Sequence, residues 1–279
     1  MEVRRGGAAG ALCSTAGQAH SSLMQHSCVV CRVAYVAACP GWRHVLWTSN
    51  ATALGALRHL DEDMLSREPT PHGKSDILRA AVLYEHGGLY IDADTLWVNG
   101  RCLDDILLLA SATGFAAALE PRRDDMVGGL VANGVMASVK HHPIVREVMH
   151  AQRTFTSAVP AGAPWQRLGP AALSAAVASA DNQAAGQYCP AEVVRGTALP
   201  TSYFSDDQPA AEAILVTVLS HRYFYPIHWV VHKFETLRNM SYVLELAKAT
   251  YPEALMYQFG FTTAETKGHD ITSHYTTSM

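Results

Sequence analysis

The chain has 279 residues, 49% hydrophobic and only 16% charged, which is enough apolar content to bury the core of one large domain or one and a half. A net charge of −4 and a pI near 6.4 supply no basic footprint for nucleic acid. No uninterrupted apolar run reaches the ~18 residues of a membrane span, and the segment after Arg4 and Arg5, short and barely apolar at its centre, reads as a poor signal peptide.

In chain order, residues 1–27 are small and polar and read as a disordered or atypical N-terminal segment without a strand. Residues 28–40 read as a helix ending at Pro40, 43–48 as a strand, and 51–66 as helical, broken by Pro69 and Pro71. A helix starting near Asp76 follows, with Ser75 as its N-cap and Ile77, Leu78, Ala81, Val82 and Leu83 as an apolar stripe at helical spacing. Gly87 and Gly88 end it, because a helix that runs at once into a strand needs positive φ. Leu89, Tyr90 and Ile91 then enter a sheet. Further on, 103–109 reads as helix, 114–119 as an apolar strand, and 127–137 as strand and turn. Helices over 143–152 and 170–180 each open on a proline, with 154–168 as loop between them. Periodicity leaves 210–219 open between strand and helix. Residues 242–249 read as helix, and a polar tail begins at Thr262. The alternation predicts a mainly parallel sheet with helices on both faces, forming one domain over 28–261.

The chemistry concentrates in residues 74–98. Alternation along a strand puts Tyr90, Asp92 and Asp94 on one face and Leu89, Ile91 and Ala93 on the other. Two carboxylates side by side repel unless a cation sits between them, and hard oxygen ligands suit Mg²⁺ or Mn²⁺. Such ions bind diphosphates, so the pair reads as a metal–diphosphate site; the duller alternative is two solvated acids at a strand end. Asp76 and Arg79 are three apart and share a helix face. Arg79 can offer a planar fork of donors to an oxygen-rich ligand, or it can pair with Asp76 or Glu85, with Asp76 serving the helix dipole. Asn133 before Gly134 is a ligand contact or plain turn chemistry, and His141-His142 reads as surface. Six cysteines include Cys28-Val-Val-Cys31, which lacks the second pair a zinc site needs and reads as incidental or buried thiols. Asn50-Ala-Thr and Asn239-Met-Ser are glycosylation sequons.

The run Lys74-Ser-Asp-x-x-Arg79, then Leu83-Tyr-x-x-Gly-Gly-Leu-Tyr-Ile-Asp-Ala-Asp94, resembles the DXD sugar transferases of glycosyltransferase family 32. Softer likenesses lie at 34–48, at Asn133 to Ser138 with His142-Pro143, at Leu168-Gly-Pro170, and at Phe224-Tyr-Pro-Ile-His-Trp229. The resemblance implies an α/β fold of the GT-A nucleotide-diphospho-sugar transferase type. It implies Mn²⁺ or Mg²⁺ held by Asp92 and Asp94, and a UDP- or GDP-linked hexose donor contacted by Lys74, Tyr90, Asn133 and His228, with His232 as a second candidate. Asp76 and Arg79 would grip the donor sugar, and transfer to a glycan or glycolipid would retain configuration by front-face attack. It favours the Golgi or secretory lumen over the cytoplasm, with membrane association through an upstream anchor. The family's opening strand, of the type Ile-Pro-Lys-Ile-Ile-His, has no counterpart in residues 1–27. That difference motivates an alternative: an inactive, N-terminally truncated relative acting as a binding module. A metal-dependent nucleotidyl- or phosphotransferase would also use the acids, but the chain has no P-loop and that reading leaves Asp76 and Arg79 unexplained.

Overall fold

The computed structural model describes residues 10–14, 42–47, 57–92, 95–98, 104–121, 130–158, 164–180, 192–196, 214–227 and 240–258. The main sheet has seven strands: β1 (Gly10–Ser14), β2 (Arg43–Trp47), β3 (Gly88–Asp92), β5 (Phe115–Leu119), β6 (Val131–Ser138), β7 (Glu192–Gly196) and β8 (Ile214–Leu219), in the order β2-β1-β3-β6-β5-β8-β7. A separate antiparallel ribbon joins β4 (Thr95–Trp97) to β9 (Met256–Gln258). Strands β1, β2 and β3 are mutually parallel, as are β5 and β8. Strand β6 runs against both its neighbours and β7 runs against β8, so the sheet is mixed and mainly parallel, as expected.

The helices are α1 (Glu62–Arg67), α2 (Pro71–His86), α3 (Asp104–Ala110), α4 (Pro143–Ala158), α5 (Pro164–Arg167), α6 (Pro170–Ala180) and α7 (Met240–Thr250). They cover both faces. On one side Leu78 and Leu83 of α2, Val148 of α4 and Leu173 of α6 pack against Tyr90 and Val216. On the other, Ile106 of α3 and Val243 of α7 pack against Leu89 and Ile91. The burial of Leu89 and Ile91 in one layer and Tyr90 in the other realises the predicted alternation.

Several local expectations change. Residues 1–27 do contain a strand: β1 lies between β2 and β3, with Leu12 opposite both Val45 and Tyr90. Helix α2 starts at Pro71, not near Asp76. Thr70 is its N-cap, accepting from the Gly73 N–H at 3.0 Å, and Pro71 stands in the first turn, where a missing N–H needs no partner. Ser75 is therefore buried inside the helix rather than capping it. Residues 57–60 form a turn, and only 62–66 of the predicted 51–66 helix is helical within the described residues. Within the expected loop at 154–168, residues 154–158 belong to α4 and 164–167 to α5. Residues 214–219 resolve the open reading as a strand. His142 is buried, with its ring bonded to the Thr113 carbonyl at 3.0 Å and to the Ile144 N–H at 3.2 Å. The helix expected over 28–40, the cysteine pair within it, Trp229 and the polar tail lie outside the described residues.

Two features set up the functional region. Gly87 ends α2 at φ 67°, its N–H bonded to the Leu83 carbonyl at 2.8 Å; a side chain there would meet the Lys140 nitrogen at 2.6 Å. This tight reversal lays β3 under α2. The second feature is a bulge in β6. From Ala116↔Ala137 to Ala118↔Ala132, β5 advances two residues while β6 advances five. The three extra residues lie within Asn133–Met136, opposite Ala117. An odd insertion reverses side-chain parity, so Val131 and Met136 share one core layer while Ala132, Val135 and Ala137 share the other. The Val135 N–H bonds to the Tyr225 hydroxyl at 2.8 Å.

Candidate active site

Arg79, in the third turn of α2, is 6% exposed and faces β3. Its guanidinium lies over the Tyr90 ring, 4.5 Å from the centroid. Its donors reach the Asn133 carbonyl at 2.7 Å, the Ser75 hydroxyl at 3.2 Å and the Ser75 carbonyl at 3.4 Å. One nitrogen also bridges two acids, 3.1 Å from Asp76 Oδ1 and 3.2 Å from Asp92 Oδ1. The fork is directed at protein acceptors on all these sides, so Arg79 holds the bulge and both carboxylates in place. Burial alone would lower the Arg79 pKa, but Asp92, Tyr90 and Asp76 outweigh it and hold the guanidinium more firmly protonated than usual.

Asp76 is enclosed. The Asn133 amide donates to its Oδ1 at 2.8 Å, and a side chain on Gly169 would come within 2.9 Å of its Oδ2. Burial pushes the Asp76 carboxyl up to about 6, against the opposing pull of Arg79 and the Asn133 amide. Gln152 of α4 fixes the backbone beneath it, donating to the carbonyls of Asp76 at 2.9 Å and Leu168 at 2.6 Å. Behind this layer a buried pair, Arg167 and Glu68 at 2.9 Å, ties α5 to the segment that caps α2.

Asp92 closes β3 at the carboxyl edge, where ligands of open α/β sheets bind. Its side chain is 21% exposed, against 7% for Arg79 and 8% for Asp76, so it is the member of the acid–arginine trio that reaches outward. Oδ1 accepts from the Tyr90 hydroxyl at 2.7 Å as well as facing Arg79, and Oδ2 accepts from the Gln258 amide at 2.8 Å. The Tyr90 hydroxyl also meets Ser75 Oγ at 3.1 Å, and burial holds its pKa above the usual phenol range. Gly134 supplies the room: a Cβ there would lie 2.9 Å from both Asp92 Oδ2 and Gln258 Oε1.

The structure thus brings together Asp76, Arg79, Tyr90, Asp92 and Asn133. Lys74 sits half-buried in the first turn of α2, its N–H on the Thr70 carbonyl, and no described contact joins it to this network. Asp94, His228 and His232 lie outside the described residues. Gln258, Gln152 and Ser75 were not singled out as ligand-facing or supporting groups. Gln258 is 166 residues from Asp92 in sequence, and its only local signal is a polar residue closing the apolar pair Met256-Tyr257.

A carboxylate has about four lone-pair sites. Asp92 uses three of them on Tyr90, Arg79 and Gln258. The fourth, on Oδ2, has no partner among the described residues, so Asp92 fits a single outward contact: to a cation, to its bound water, or to a ligand hydroxyl. Among the described residues no cluster of three metal-ligating side chains occurs, and the remaining acid of the pair, Asp94, is not among them.

Residues 26–108, the stretch that holds α1, α2, β3 and β4, match the family model for the glycosyltransferase sugar-binding region containing DXD motif. Among solved structures, the PaToxG glycosyltransferase aligns over 61% of this chain and 69% of its own at 15% identity and a TM-score of 0.45. A glycosyltransferase involved in glycosylation of the major capsid of PBCV-1 aligns over 93% of this chain and 98% of its own at 11% identity and a TM-score of 0.43. No curated protein matches the chain. Residues 26–108 thus carry the likeness to the DXD sugar-binding region of glycosyltransferases, and sugar transfer is the class of activity that this region supports.

Proposed function

We propose that the chain transfers a hexose from a nucleotide-diphospho-sugar to a hydroxyl of a glycan or glycolipid, with a divalent cation at Asp92 and Asp94. The observation that carries this reading is the state of Asp92. It is held at three lone pairs, has no partner among the described residues at the fourth, and stands at the carboxyl edge of β3 two residues before Asp94 in the sequence. The residues fit the cation as one oxygen from Asp92, directly or through water, together with Asp94. When bound, Mn²⁺ or Mg²⁺ neutralises the charge that develops on the departing diphosphate.

The protein's own residues supply orientation. Arg79 and Tyr90 fix the direction of Asp92, and Asp76 with Asn133 fixes Arg79, so the outward lone pair is set before any ligand arrives. Asp76 and Arg79 therefore act as positioning residues behind the donor rather than as its grip. Lys74 and His228 are carried from the family resemblance as donor contacts, and retention of configuration comes from the same source. The alternative reading, an inactive relative acting as a binding module, rested on a missing first strand; β1, though of different sequence, pairs with β3 and speaks against that ground.

The test is calorimetric titration of the full chain with UDP- and GDP-sugars, with and without Mn²⁺, alongside Asp94→Asn. Mn²⁺-dependent binding of one donor, lost in the folded variant, is expected. A folded wild-type protein that binds none of the panel, or a variant that binds equally well, would overturn the proposal.

A further inference from the structure

The acid pair lies at a joint. Asp92 ends a strand of the main sheet, and Thr95, immediately after Asp94, begins the β4–β9 ribbon. One residue reaches both sides of that joint. Gln258, at the end of β9, is the register partner of Thr95, and its side-chain amide donates to Asp92 Oδ2 at 2.8 Å.

We infer that Gln258 is a positioning residue for Asp92: it clamps the carboxylate from the ribbon side and so sets the direction of the contact that Asp92 offers a ligand. Geometry gives the clamp its consequence. Asp92 Oδ1 is already held by Tyr90 and Arg79, so Gln258 is the partner that decides where the last lone pair of Oδ2 points. An amide suits this place, because a neutral donor orients a carboxylate without cancelling its charge. A lysine or arginine would compete with a cation, and a carboxylate would repel Asp92. Gly134 is shaped to the same arrangement, since any side chain there would push into both partners. The inference rests on the reading of Asp92 and Asp94 as the cation and donor site.

Three full-length variants and two readouts test it. Gln258→Met keeps the length and apolar stem but removes the donor; Gln258→Glu replaces it with a like charge; Asp92→Ala removes the acceptor. The first readout needs no ligand: the Gln258 side-chain amide in proton–nitrogen NMR. Its signals should shift in Asp92→Ala. The second is donor binding by calorimetry across a Mn²⁺ series. Gln258→Met should weaken Mn²⁺-dependent binding of the donor by about tenfold and raise the Mn²⁺ concentration for half-maximal effect, and Gln258→Glu should do both more strongly. Melting temperature should stay within a few degrees of wild type, since a packing role alone would move that and leave the Mn²⁺ dependence unchanged. An amide signal that ignores Asp92→Ala, or a Gln258→Met protein within about twofold of wild type in donor and Mn²⁺ dependence, overturns the inference. If the wild-type protein binds no donor at all, the functional reading falls, and the amide signal still decides whether the clamp exists.

Discussion

Arg79→Met should destabilise the protein in a pH-dependent way. The guanidinium faces five acceptors within 3.4 Å, two of them carboxylates, and both Arg79 and Asp76 are 6% exposed. Methionine fills much of the same volume but leaves the Asp76 charge buried with only the Asn133 amide beside it. Breaking a buried pair by removing one partner costs about 3–5 kcal/mol. Even with Arg79 present, burial raises the Asp76 carboxyl from 3.8 to about 6, a shift that corresponds to about 3 kcal/mol at neutral pH. The folded state therefore binds more protons than the unfolded state between those values. The stability tied to protonated Asp76 is fully present below 3.8 and is lost as pH rises through about 6. Without Arg79 the folded pKa climbs further, so the variant's deficit should approach the full cost at about pH 8 and shrink to less than half at about pH 5. Urea unfolding of both proteins at the two pH values measures this. Asp76→Asn in the Arg79→Met background should recover at least half of the loss at the higher pH, because it removes the orphaned charge. An equal loss at both pH values, with no relief from Asp76→Asn, would refute the account of a buried acid held by one cation.

Gly134→Ala should open the Asp92–Gln258 contact, since its Cβ would stand 2.9 Å from both partners; expected are a stability loss of about 1–3 kcal/mol from overpacking and donor binding weaker by about tenfold. Donor affinity equal to wild type by calorimetry would show that the site tolerates the crowding. Glu120, at the carboxyl end of β5, is raised from 4.5 to about 7 by burial, so the folded state again binds the extra proton and stability should fall as pH rises through about 7. Glu120→Gln should flatten this slope by up to about 1.4 kcal/mol per pH unit; unchanged pH dependence in thermal melts would argue that the carboxyl is well solvated.

The helix, glycine turn and acid-tipped strand were legible because each signal there is local. Gly87 needs its positive φ, and the alternation of Leu89, Tyr90, Ile91 and Asp92 sorts itself between two core layers. The start of α2 is hard to read because Pro71 is a breaker in a helix interior and a good residue in the first turn; Thr70 caps the Gly73 N–H, and the N–H groups that Ser75 would have capped lie inside the helix. Strand direction was not legible either. Periodicity identifies β6 as a strand but does not say that it runs against both neighbours. Asn133-Gly134 carries a turn signal, and the chain uses it for a bulge in the middle of a strand. Gln258 could not be found from sequence, because a contact spanning 166 residues leaves no trace in either partner's neighbourhood. Glu120 could have been flagged: a carboxylate closing the run Phe-Ala-Ala-Ala-Leu is an acid at the edge of a buried strand.

The bulge in β6 makes length and composition separable constraints on this part of the chain. On either side of Asn133–Met136 the strand keeps regular partners on β5, so exchanging a bulge side chain need not disturb the ladder. Deleting a single residue from it is a different matter. One flank would have to slip by one, and a slip by one turns every side chain of that flank to the opposite face. Val131 and Ala132, or Met136 and Ala137, would trade core layers. The segment that presents Asn133 to Asp76 and makes room for Asp92 thus has its residue count locked by the two hydrophobic layers it separates, apart from what the site asks of the side chains at Asn133 and Gly134.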